Sequence, residues 1–164
     1  MAAAAPRVSL AKTRGAPRAN GKAHGRARPD RWVGVRAAPE DELEKQPVAE
    51  AETLKGLGDA VFVLDVRDAD EMSVGGEQLS KSTNVPLNKA KGVNKTLDEF
   101  KADLEKAGVW ATLEQRGRDA PIITHCGAGG RGGKACDALT KLGFTNVHNG
   151  GGPDDVRAAR PDLG

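Results

Sequence analysis

Two short runs, Val61-Phe62-Val63-Leu64-Asp65-Val66 and Pro121-Ile122-Ile123-Thr124-His125-Cys126, constrain the fold of this chain more than any other feature. A strand with one face in water alternates apolar and polar residues. These runs are mostly apolar and β-branched, so each reads as a strand buried on both faces. Such strands need helices above and below them, and the sequence supplies these. Thr96-Leu97-Asp98-Glu99 matches a capping box, and Leu97, Phe100, Leu104 and Ala107 then recur at helical spacing until Gly108 stops the helix. After the second run, Ala135, Cys136, Leu139 and Leu142 line one face of a helix stopped by Gly143. Residues 48–57 predict a further short helix, 82–87 a weaker strand closed by Pro86, and 145–148 a last strand. Strands alternating with amphipathic helices define an α/β chain with a mostly parallel sheet covered on both faces. Ligands bind such sheets beyond the carboxyl ends of the strands, which singles out the loops after Val66 and after Ile123.

The 164 residues allow one domain plus a tail, and their charge is unevenly divided. Nine of the 25 Lys and Arg lie in residues 1–36 but only one of the 23 acids, Asp30, so the rest of the chain is acidic. The opening stretch is rich in Ala, Arg, Gly and Pro, has no sustained period, and holds too little apolar surface to offset its ordering entropy. A basic nucleic-acid-binding arm, an interaction tail and an organelle transit peptide all fit such a composition. Its N-terminal position, lack of acids and dispersed Arg favour a transit peptide over residues 1–37. Val35-Arg36-Ala37-Ala38 is similar to the cleavage site of green-algal chloroplast transit peptides, so a chloroplast address is expected, with the mitochondrion as the alternative. Residues 38–47 then read as a linker, 48–158 as the domain and 159–164 as a C-terminal tail. No apolar stretch reaches the length of a membrane span. Five aromatic residues and an acidic domain give no nucleic-acid-binding face. Two cysteines, Cys126 and Cys136, supply neither a disulfide framework nor a four-cysteine zinc site, and no metal or cofactor is expected.

Cys126 ends the second buried run and is followed by Gly127-Ala128-Gly129-Gly130-Arg131-Gly132-Gly133, five glycines in seven residues. Backbone amides in such a loop can turn inward around a point. Those amides, the positive end of the following helix and Arg131 would together favour a thiolate, a persulfide or an oxyanion at Cys126. The plainer alternatives are glycines that serve the turn and an inert buried cysteine. A phosphate-binding P-loop fails, because Ala128 stands where its first glycine belongs and Ala135 where a Ser or Thr would hold magnesium. Cys136 falls on the apolar helix face and reads as a core residue, with a resolving thiol as the sharper alternative. His125 points away from Cys126 if the strand runs straight, and reads as structural. Lys134 reads as a solvated helix residue.

Four motifs in order carry a family resemblance. Val63-Leu64-Asp65-Val66-Arg67-Asp68-Ala69-Asp70-Glu71-Met72, Asn84-Val85-Pro86-Leu87, the Cys126 loop with C-x-x-G-x-R at Cys126, Gly129 and Arg131, and Leu142-Gly143-Phe144-Thr145-Asn146-Val147 followed by Asn149-Gly150-Gly151-Gly152 together resemble single-domain rhodaneses. The resemblance implies a three-layer fold around a five-stranded, mostly parallel sheet, and sulfurtransferase chemistry. Cys126 would take a sulfane sulfur from thiosulfate or a related small anionic donor as a persulfide. A thiol, of the glutathione or thioredoxin-like kind, or cyanide would then accept it, with ping-pong kinetics. The backbone of Gly127, Ala128, Gly129, Gly130, Arg131 and Gly132 would cradle the sulfur, Arg131 would close the loop and attract the donor, and Asp65 and Arg67 would brace the site. The six residues from Cys126 to Arg131 match the loop of sulfur transfer rather than the longer Cys-x5-Arg loop of related phosphatases. Gly127, where thiosulfate-specific members carry a basic residue, is similar to the C-G-x-G loop of mercaptopyruvate sulfurtransferases and leaves the donor open. Residues 77–82 replace the usual GHIPGA. The alternative function is a non-catalytic rhodanese-like binding or regulatory module, against which retention of both Cys126 and Arg131 argues.

Overall fold

The computed structural model describes residues 42–73 and 77–164. The transit peptide expected over residues 1–37 lies outside the described residues. The described residues form one compact unit. Within it the two buried runs are adjacent strands, β1 (Phe62–Asp65) and β5 (Ile122–His125), at the centre of a parallel sheet. β2 (Ser82–Asn84) flanks β1 and β6 (Val147–Asn149) flanks β5, giving the order β2-β1-β5-β6. Alternation along the strands sends Leu64, Val66 and Ile122 into one core with Phe100, Leu104, Leu139 and Phe144. Val63 and Ile123 enter a second core with Leu54, Leu79, Val156 and Leu163. Helices α2 (Leu97–Lys106), α3 (Val109–Arg116) and α4 (Gly130–Lys141) supply the first core, and α1 (Ala51–Lys55) and α5 (Pro153–Ala159) the second. The three-layer α/β arrangement is therefore present.

The sheet has four strands among the described residues rather than the expected five. At the β6 edge the chain adds only one parallel bridge between Val48 and Asn149, with the Ala49 N–H donating to the Asn149 carbonyl at 2.8 Å. Pro47 has no N–H to extend this ladder and the chain turns into α1 at Ala51. The same bridge shortens the helix predicted over 48–57, because Val48 is committed to the sheet edge.

The capping box of α2 forms as predicted: the Glu99 N–H donates to Thr96 Oγ1, and the Thr96 N–H to the Glu99 carboxylate at 2.8 Å. Gly108 ends that helix, but in the left-handed conformation (φ 71°) it turns the chain directly into α3, which the sequence reading lacks. Val109 and Leu113 of α3 are buried in the first core. Also unforeseen are a hairpin of β3 (Asn88–Ala90) with β4 (Val93–Asn94), and α5, which starts at Pro153. Leu43, in the stretch expected as a linker, inserts into the first core, and Leu163, in the expected tail, into the second.

Candidate active site

Cys126 directly follows β5, and its thiol is buried, 3 % exposed, beneath the loop that opens α4. Its backbone N–H donates to the Gly151 carbonyl at 3.1 Å. The next residues, Gly127 and Ala128, are exposed, so solvent reaches the loop immediately after the buried cysteine. None of the backbone N–H groups from Gly127 to Gly132 has an acceptor among the described residues. Donors left free in a folded chain are costly unless solvent or a ligand takes them, and a run of them at a helix start is suited to an anion. Gly129, at φ 79°, makes the turn that starts α4, and a Cβ there would lie 2.8 Å from Val48 Cγ2. The Thr124 hydroxyl, 2.9 Å from the Gly132 carbonyl, ties the start of the helix back to the sheet.

Arg131 closes the loop from the far side. Its guanidinium donates through Nη1 and Nη2 to the two carboxylate oxygens of Glu71, the latter at 2.7 Å, and Nη1 lies 3.3 Å from Asp68 Oδ2. Glu71 also accepts the Asp68 N–H at 2.9 Å. The hydrogen bond to Arg131, more than the charge itself, holds the Glu71 carboxyl below its ordinary pKa, and the same pair pushes Arg131 higher. The sequence alone gives Glu71 no role. It is part of the motif that follows β1, and its spacing from Arg131 along the chain concealed the partnership. Among the described contacts, the Arg131 charge is engaged by two carboxylates and serves as a clamp between the β1 and β5 loops.

Asp65 and Arg67 are buried together at the end of β1. The Arg67 Nε and Nη2 groups donate to both Asp65 oxygens at 2.8 to 3.1 Å, and the Arg67 N–H to Oδ1 at 3.0 Å. Asn84 Nδ2 bridges the carbonyls of Asp65 and Arg67. His125 is in register with Asp65 across β1 and β5, with Nε2 3.9 Å from Asp65 Oδ2. It points into the side of the sheet opposite the core that Cys126 joins, and neither ring nitrogen has a hydrogen-bond partner among the described residues. Burial lowers the His125 pKa, against the attraction of Asp65. The pair thus forms a charged girder at the end of β1, with the buried His125 beside it on the sheet face opposite the core that Cys126 joins.

Cys136 lies on the buried face of α4, where its thiol faces the Val147 carbonyl at 3.3 Å and burial pushes its pKa up to about 11. Both cysteines are free. Lys134 is half-buried rather than solvated. No helix among the described residues is long and apolar enough to cross a membrane.

A cysteine at the end of a central parallel strand, covered by a glycine loop beside an arginine clamp, defines a thiol-centred candidate site on an α/β sheet. The chain belongs to the Rhodanese-like domain family, whose match spans residues 47–152. It is 29 % identical over 107 residues to a Schizosaccharomyces pombe protein described as a mitochondrial thiosulfate sulfurtransferase. That alignment covers 65 % of this chain and 64 % of the relative's length. Among solved structures, a rhodanese with anions from E. coli matches at 24 % identity and a TM-score of 0.41, over 58 % of this chain and 91 % of that one.

Proposed function

We propose that this chain is a sulfurtransferase that carries the transferred sulfur as a persulfide on Cys126. The observation that carries this reading is the run of backbone amides from Gly127 to Gly132 without acceptors, opening beside a buried thiol. Such an array stabilises negative charge on sulfur and costs no reorganisation when charge develops. In the first step the Cys126 thiolate attacks the outer sulfur of thiosulfate. A new S–S bond forms, the original S–S bond breaks, and sulfite leaves with the electron pair. In the second step a thiolate or cyanide attacks the outer sulfur of the persulfide and restores the Cys126 thiolate. The two half-reactions give ping-pong kinetics and need no cofactor. Arg131, engaged by Glu71 and Asp68, acts here as the clamp that keeps the loop closed. Asp65 and Arg67 brace the loop from below. Thiosulfate as donor is supported by the description of the S. pombe relative, and that description's mitochondrial location supports the mitochondrion over the chloroplast.

The test is mass spectrometry of the native chain after treatment with thiosulfate or mercaptopyruvate, compared with Cys126→Ser. An adduct of one sulfur atom on wild type, absent from the variant and released by a thiol, is the expected result. Absence of an adduct with either donor would replace this reading with that of a binding module.

A further inference from the structure

Besides Glu71, Asp68 and Thr124, a further side chain outside the Cys126 loop holds it. Asn149, at the end of β6, is 1 % exposed, and its carboxamide meets three separate segments. Nδ2 donates to the Gln46 carbonyl at 2.9 Å and to the Gly129 carbonyl at 3.0 Å, while Oδ1 accepts the Gly151 N–H at 3.2 Å. Gly151 in turn presents its carbonyl to the Cys126 N–H. The fit is close: a Cβ on Gly132 would stand 2.7 Å from Asn149 Oδ1. Two of the loop's contacts with the sulfur's surroundings therefore run through this amide. The Gly129 carbonyl, held by Asn149 and by the Gly133 N–H at 2.9 Å, fixes the plane of the peptide joining Gly129 to Gly130. In a planar trans peptide the N–H points opposite to the C=O, so the free Gly130 N–H is aimed back toward the loop opened by Cys126.

We propose that Asn149 is a positioning residue for the Cys126 centre: its carboxamide locks the Gly129–Gly130 peptide and the Gly151 carbonyl so that loop amides face the sulfur. The inference rests on Cys126 being the reacting group of the proposed function. Asn149 donates through Nδ2 and accepts through Oδ1, so no apolar residue reproduces the arrangement, and an aspartate keeps the acceptor while losing both donors. The chain segment carrying Gln46 is bound by the same amide, which makes the strap before α1 part of the loop's support. The Gln46 N–H returns a bond to the Gly133 carbonyl at 3.3 Å.

The test compares wild type with Asn149→Ala and Asn149→Asp, measuring iodoacetamide alkylation of Cys126 across pH together with thermal unfolding. Loss of one amide contact to a charged sulfur is expected to slow alkylation at neutral pH about tenfold and move its profile up by about one pH unit. Lowered thermal stability with an unchanged alkylation profile in both variants assigns Asn149 a purely structural role and overturns the proposal. Where a variant folds poorly, wild type carries the test: the Gly130 amide NMR signal should titrate together with Cys126, and a Gly130 signal that ignores that titration overturns it equally. These readouts need no sulfur donor. A chain that takes sulfur from none ends the sulfurtransferase reading but leaves the role of Asn149 to the alkylation profiles.

Discussion

Replacing Arg67 by Met probes the girder beneath the loops most sharply. Asp65 and Arg67 are 0 % and 1 % exposed, and the guanidinium supplies three short contacts to the carboxylate. Met keeps much of the side chain's length but removes the charge, leaving a carboxylate where no water reaches it. An unpaired buried charge of this kind costs about 3–5 kcal/mol, a large part of the roughly 5–15 kcal/mol that holds a domain folded. His125 Nε2, 3.9 Å from Asp65, is the nearest replacement cation. Burial holds its pKa below the ordinary value, so it is neutral at neutral pH and gains a proton only in more acid solution. In the variant, protonation of His125 relieves the buried charge. The loss of stability relative to wild type should therefore be largest at neutral pH and above, and shrink as pH falls. Urea unfolding near about pH 7.5 and about pH 5.5 brackets the ordinary histidine range. The double variant Asp65→Asn/Arg67→Met, which removes both charges, should recover more than half of the loss. A single variant within about 1 kcal/mol of wild type, or a double variant no better than the single, refutes the reasoning.

Four further outcomes follow from the described contacts. Glu71→Gln removes the carboxylate charge from the Arg131 clamp; because that pair is partly exposed its stability cost should stay below about 1 kcal/mol, while sulfur transfer falls by more than that energy implies. The Glu71 pKa is depressed in the fold, so the clamp is complete above its ordinary value of 4.5 and is lost as pH falls through the lowered one, which acid-side activity profiles would display. With its pKa near 11 and its thiol buried, Cys136 should stay unmodified when the native protein is alkylated at mildly alkaline pH, and Cys136→Ala should retain sulfur transfer; double labelling of native wild type would contradict this. Truncation after Ala159 removes the buried Leu163 and the Ser80 contacts to the carbonyls of Leu163 and Gly164, and should cost about 2–3 kcal/mol in denaturant unfolding.

The parts of this protein that its sequence determined are those specified by neighbours along the chain. Continuous apolar runs identify β1 and β5, because a strand buried on both faces has no other pattern, and the Thr96–Glu99 box starts α2 because both partners lie within one helical turn. The Cys126 loop is legible for the same reason: its glycines, its arginine and the helix it opens are contiguous. Tertiary structure decided what depends on distant partners. The β3–β4 hairpin is too short to carry a period of its own, and α3, with Val109 and Leu113 at helical spacing, follows α2 directly because Gly108 turns the chain in the left-handed conformation. α5 is the exception, since it carries local start signals, Pro153 and two acids in its first turn. Val48 reads as helix until β6 captures it as a bridge. Glu71 becomes the partner of Arg131, and Asn149 the support of Gly129, only when the parallel order β2-β1-β5-β6 brings the loops after β1, β5 and β6 to one edge. Hydrogen bonds and ion pairs depend on distance in space, and the chain sets that distance only after its apolar runs have packed into one sheet.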